Sequence, residues 1–305
     1  FKVFGGTNYD VGTAVTTDSQ GNIYVTGITV TPSSNDAFLV KLSSEGSAVW
    51  EKRLDGGGDD RSFTVILKDN QVYIAGLTTS SGAGDKDGYV ALISSNGSLS
   101  WLKTIGGSDD DRIHEIVLGS DGRIYGVGLT GSFGAGEWDV PVLKIDPATG
   151  QVVQCRTVGS TDDDDASRVI EAGGFLIVAG FTYVGAGGRD AFTFLYSPCI
   201  GDELGWTGNE GWDNITVESC EPSVSDATSD YTVYDWNVGL TDVTNGISIT
   251  DETPTTQDFT SEAEVHKAVD SNTPSPIPEG RALVIAVIMI TLLLLTLSKV
   301  CRSTS

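Results

Sequence analysis

Histidine, methionine and basic residues are scarce in this chain. Its 305 residues hold two His and one Met, with 18 Lys and Arg against 42 Asp and Glu, a formal net charge of −24. Such an acidic chain repels nucleic-acid phosphates, which excludes DNA and RNA as partners. His114 falls inside an expected strand, His266 falls in a polar stretch, and no GxSxG accompanies them, so nucleophilic catalysis finds little support. Paired carboxylates can hydrolyse glycosides, but acids are so numerous here that some pair always looks apt by chance. Four cysteines without a CxxC exclude the usual zinc-site spacing. No signal peptide opens the chain, and FKVF reads as a mature or truncated start with the export signal lost.

What the chain has in quantity is glycine and aspartate, and both recur at a fixed interval. Gly56 to Ile105 is one unit; a copy begins at Gly5, another at Gly106, and a shortened one runs from Gly159. Asp36, Asp87, Asp139 and Asp190 keep step at 51 or 52 residues, and Trp50 and Trp101 stand 51 apart. A period of this size predicts propeller blades, because one unit cannot bury its own apolar face.

Each copy predicts four short strands. In the second they are Phe63–Leu67, Val72–Leu77, Gly88–Ile93 and Leu99–Ile105, with tight turns at 68–70 and 95–97. Asn and Gly in those turns accept the positive φ that such hairpins need. Apolar residues at both parities, Tyr89, Ala91 and Ile93 against Val90 and Leu92, predict a sheet buried on both faces, as between stacked blades. Trp50 and Trp101 fall at the start of the outermost strand, where a large ring covers the edge of the neighbouring blade. The fold class is therefore all-β, a β-propeller of four-stranded blades at about 5–54, 56–105, 106–158 and 159–197. Either FKVF supplies the outer strand that the fourth copy lacks and closes a ring, or the four copies form an open arc; the arc is the preferred reading, since four blades is the lower end of the propeller range.

The residues Gly5-Gly6, Asn22 to Gly27, Asp36 to Leu42, Gly46 and Trp50 resemble the SBBP family of β-propeller repeats. The resemblance covers residues 1–197. It implies a propeller carried by secreted or surface proteins of bacteria and archaea, and it implies no enzymatic activity. The third copy departs from it with Val153 where Trp is expected.

From Ser197 the repeat stops. Residues 198–250 carry Trp206, Trp212 and the hairpin signal Asn245-Gly246, and read either as a small β module or as a loose spacer. Residues 251–280 are rich in Thr, Ser, Pro and acid and read as an extended stalk. Ala282–Ser298 holds no charge, and 17 helical residues span about 25 Å, so 281–300 reads as a transmembrane helix. Lys299 and Arg302 place the tail 301–305 in the cytoplasm and the acidic part outside. Pro276 to Gly280, the apolar run and the basic end are also similar to bacterial and archaeal sorting signals of the PEF or PEP type. That resemblance implies removal of the helix and transfer of the protein to a lipid.

The candidate metal ligands are the acidic runs entering each blade: Asp59 and Asp60, Asp109, Asp110 and Asp111, and Asp162, Asp163, Asp164 and Asp165. Carboxylates on loops suit Ca²⁺, which takes six to eight oxygens; a solvated acidic rim is the plainer reading. The loop before the third strand, with Asp36, Asp85, Asp87, Glu137, Asp139 and Asp190, is expected on the same face. There the recurring Asp is expected to cap a turn through backbone hydrogen bonds. Among three possible pairings, Cys199–Cys220 is the expected disulfide over those with Cys155, and Cys301 lies beyond the helix. Asn96 and Asn214 open glycosylation sequons. Together these features predict a surface-anchored protein that binds a protein or glycan, or serves adhesion or the cell envelope, without catalysis. The rival reading is an extracellular carbohydrate-active enzyme using carboxylates on the acidic loop face.

Overall fold

Alternating apolar residues between glycine turns fold each copy into an antiparallel sheet. The computed structural model describes residues 2–3, 5, 8–183, 188–198, 202–207, 216–228, 232–235 and 241–242. After the short β1 (Lys2–Val3), the first blade is β2 (Asp10–Thr17), β3 (Ile23–Val30), β4 (Asn35–Leu42) and β5 (Ala48–Asp55). The second is β6 (Asp60–Lys68), β7 (Gln71–Thr78), β8 (Asp87–Ile93) and β9 (Leu99–Gly106). The third is β10 (Asp111–Leu118), β11 (Ile124–Thr130), β12 (Val140–Ile145) and β13 (Val152–Gly159). The fourth is β14 (Asp164–Ala172), β15 (Phe175–Thr182) and β16 (Asp190–Ser197), and β17 (Asp202–Thr207) adds to it. The fourth blade therefore does have its outer strand, contrary to the sequence reading. It lies beyond residue 197, after a break in the repeat that hid it.

The turn at 68–70 has Asp69 and Asn70 at φ 51° and 63°, the left-handed pair that a two-residue hairpin requires. Every first strand carries a bulge at the same point, at Thr13, Phe63, His114 and Ser167. Beside it the second strand needs glycine. A Cβ on Gly76 would lie 1.7 Å from the Arg61 carbonyl, and one on Gly128 would lie 2.1 Å from that of Arg112.

Blades pack face to face in succession. β6 lies on β2, β3 and β4; β10 lies on β6 to β9; β14 lies on β10, β11 and β12. Tyr24, Ala37 and Leu39 of the first blade bury against Val72, Ile74 and Tyr89 of the second. Tyr73, Ala75 and Leu92 do the same against Ile113 and Ile124 of the third, and Tyr125 and Val127 against Phe192 and Phe194 of the fourth. Each large aliphatic or phenylalanine side chain among them contributes roughly 1.5–3 kcal/mol by leaving water. Among the described residues, no strand of the fourth blade packs comparably on the first, so a closed ring is not part of the described structure.

The tryptophans act as predicted. Trp50 donates from Nε1 to the Ser95 carbonyl in the next blade's hairpin, at 3.1 Å, and its ring lies over Gly97; Trp101 lies over Gly150. Gln154, not Val153, holds the corresponding place in the third copy, since it faces Lys144 as Trp101 faces Leu92. One further residue in the hairpin of that copy shifts the count.

The larger departure concerns residues 202–235. The expectation of a separate small module there is corrected: their strands extend the blades. β18 (Thr216–Ser219) pairs with β13, β19 (Ser223–Asp226) with β9, and β20 (Thr232–Asp235) with β5, all antiparallel. With β17 on β16, the chain returns along the outer edges of the blades in reverse order, fourth to first. Short polar strands gave no alternation by which sequence could assign them. The disulfide is corrected for the same reason. Arg156 faces Ser219 across β13 and β18, which brings Cys220 to Cys155; the two are bonded, with Cα atoms 5.1 Å apart. Cys199, Asn214, His266, Asn245-Gly246, the stalk at 251–280, the apolar segment at 281–300 and the tail lie outside the described residues. Among the described residues no helix is long and apolar enough to cross a membrane.

Candidate functional site

The loops entering the first and third strands of the blades gather at one end, as the sequence predicts. Asn35 Nδ2 donates to Asp59 Oδ1 at 2.9 Å, and Lys86 Nζ to Asp110 Oδ2 at 2.8 Å. Backbone bonds continue the seam: Asp111 N–H to the Lys86 carbonyl, and Asp164 N–H to that of Trp138.

Within each acidic run the carboxylates have different tasks. Asp59 and Asp110 pair with Arg61 and Arg112, two residues further along the strand. Burial works to raise Asp110, but hydrogen bonds from Arg112 and Lys86 hold it below the usual carboxylate range. Asp60 Oδ2 accepts the Gly56 N–H at 2.9 Å, and Asp111 Oδ2 that of Gly107 at 2.7 Å, so these two close the turn into the strand. Asp164 does the same for Ser160 at 2.7 Å. Asp165 takes the place of the arginine in the fourth copy, and His114 Nδ1 stands 2.9 Å from its Oδ1 and 3.2 Å from the Ala166 carbonyl. Asp109 and Asp162 are exposed, and Asp163 is half-buried.

In the second and third blades the recurring Asp before the third strand caps its loop, as predicted. Asp87 Oδ2 accepts the Gly84 N–H at 3.1 Å and Asp139 Oδ2 the Gly136 N–H at 2.9 Å. Burial raises both, with a neighbouring carboxylate adding to it: Asp111 beside Asp87, and Asp164 and Glu218 beside Asp139, which is pushed up to about 6. Asn96 sits exposed at a hairpin tip, where its Oδ1 accepts from the Ser98 N–H at 3.0 Å.

Sequence reasoning placed both sets of aspartates on one face. It missed that they pair across each blade boundary beneath the rim, Asp36 with Asp60, Asp87 with Asp111 and Asp139 with Asp164. The available signal was the residue closing each fourth strand: Asp55, Gly106 and Gly159. A Cβ on Gly106 would lie 2.4 Å from Asp87 Oδ1 and 2.7 Å from Asp111 Oδ2. At the first boundary Asp36, Asp55 and Asp60 bring carboxylate oxygens within 4.8 Å of one another, the described group suited by position to a metal.

No curated protein matches the chain. The SBBP β-propeller repeat model matches residues 1–29, the segment that ends with β2 and most of β3. The same strands, bulge and glycine recur in the following blades. The chain is thus built of repeated four-stranded antiparallel blades, the first of which is similar to the SBBP β-propeller repeat.

Proposed function

We propose that this protein is held at the cell surface and binds a protein or glycan ligand through the loop rim, without catalysis. The observation that carries the reading is the continuity of the rim. Loops of successive blades are tied to one another, while Asp85, Asp109, Glu137, Asp162 and Asp190 remain exposed along it. A surface rich in exposed carboxylates, spread over several blades, favours an extended partner of the opposite sign. The anchor is supported by the uncharged run at 282–298 and the basic residues after it.

Two versions of the protein test this, the full chain and a chain ending at Gly280. The full chain is expected in the membrane fraction and the shorter one in the medium; retention of the shorter one overturns the anchor. The released protein is expected to rebind cells, less at high salt and less after combined Asp85→Asn, Asp109→Asn, Glu137→Gln and Asp162→Asn. Rebinding indifferent to salt and to these changes overturns the rim. Turnover of a glycan by the released protein would favour the hydrolase reading instead.

A further inference from the structure

The blade boundaries repeat one arrangement with an informative change. At the first, Arg53 Nη1 stands 3.1 Å from Asp36 Oδ2, so the buried carboxylates have a cation built into the chain. Arg53 faces Phe38 across its sheet; Thr104 faces Tyr89 and Thr157 faces Pro141 at the corresponding places. The later boundaries therefore keep the paired aspartates and lose the arginine.

The third boundary shows the consequence most clearly. Asp139 and Asp164 are 0% and 2% exposed. Asp139 commits Oδ2 to the loop, while its Oδ1 is buried and has no hydrogen-bond partner. That oxygen and Asp164 Oδ2 converge on Gly159, where a Cβ would lie 2.0 Å from the first and 3.1 Å from the second. Asp164 Oδ2 accepts from the Ser160 N–H and Oγ, and the other Asp164 oxygen, Oδ1, is buried without a hydrogen-bond partner. Glu218, opposite Thr157 on β18, adds negative charge nearby. Buried carboxylates without a counter-charge are costly. Oxygen donors with neither nitrogen nor sulfur among them select hard cations.

We propose that the third blade boundary binds a divalent metal cation of the calcium class between Asp139 and Asp164, in the role that Arg53 fills at the first. The site lies beneath the rim and does not depend on what the rim binds. The remaining ligands would be carbonyl oxygens or water, as is usual for calcium.

The test uses the full chain in detergent, stripped with chelator at pH 7.5. Melting is followed with millimolar CaCl₂ and with NaCl of matched ionic strength, and binding by Tb³⁺ luminescence excited through tryptophan and displaced by Ca²⁺. Trp138 adjoins Asp139 in the chain. Calcium is expected to raise the melting temperature beyond matched salt, since it binds the folded state alone. Asp139→Asn is expected to weaken Ca²⁺ roughly tenfold or more by removing a ligand charge. Thr157→Arg transplants the first boundary's own cation. It is expected to melt at least as high as the calcium-free parent and to lose most of the calcium response. That variant decides the matter even if Asp139→Asn fails to fold. No calcium effect beyond matched salt overturns the proposal. An effect undiminished by both substitutions also overturns it and assigns calcium to the exposed rim.

Discussion

Residues 8–198 and residues 202–235 contribute strands to the same sheets under different rules. In the first stretch each blade has its own apolar strands and tight turns, and the first three bury apolar side chains against the next blade. In the second, strands of four to six residues hang on edges already made. They are held by ladder hydrogen bonds and a few fixed points. Cys220 is bonded to Cys155; Ala227 is buried, and its N–H donates to the Leu102 carbonyl at 3.1 Å; Lys103 Nζ lies 2.8 Å from Asp226 Oδ2. The repeats specify the fold, and the return segment depends on it.

The contrast can be broken most strongly at the disulfide. Cross-linking residues 65 apart removes about 4 kcal/mol of chain entropy from the unfolded state. Cys220→Ser is expected to lower stability by up to that amount. Limited proteolysis should then cut within 202–235 first and leave the repeats intact. Cutting inside the repeats before the return segment would show that the two parts unfold as one.

Leu39→Ala attacks the other side. Leu39 is fully buried between the first and second blades, and such a truncation costs about 2–5 kcal/mol. Unlike the disulfide variant, it is expected to shift the whole denaturation curve rather than free one segment.

Acid sharpens the comparison, because the two parts respond with opposite sign. Asp139, in the repeats, has its pKa raised by burial and by Asp164 to about 6, above an unfolded value of about 3.9. Its folded form holds a proton more tightly, so this contribution is complete below about pH 4 and declines as pH rises toward 6. Asp226, in the return segment, is held down to about 2, first by the Lys103 hydrogen bond and then by Thr228. Its contribution is present above about pH 4 and is lost as pH falls toward 2. In the calcium-free protein, Asp139→Asn is expected to flatten urea-measured stability between pH 4 and 6, and Asp226→Asn to flatten it between pH 4 and 2. If either substitution left its slope unchanged, that assignment would fail.

The smallest effect is expected from the Lys103–Asp226 pair at neutral pH. Asp226 is largely exposed, so Asp226→Ala should cost about 1 kcal/mol or less by melting.

Much of this was legible in the sequence. The strands of the second blade, the hairpin at Asp69 and Asn70, the tryptophan contacts and the capping aspartates all follow from spacing and local chemistry. The return strands were not legible, because an edge strand takes its register from its partner and needs no apolar pattern of its own. The Cys155–Cys220 bond followed them out of reach. Asp139 and Asp164 could be read separately, but their meeting depends on how one blade lies on the next.

The return path also sets an order in time. Edge β5 is made early, yet the residues that cover it come near the end of the described chain, where Thr232 pairs with Asp55. Pairings this distant in sequence form late and slowly. Until then the outer edges of the blades stand open, and an open strand edge is a template for another chain. The growing protein is therefore most prone to aggregate after its blades have formed and before its last strands arrive.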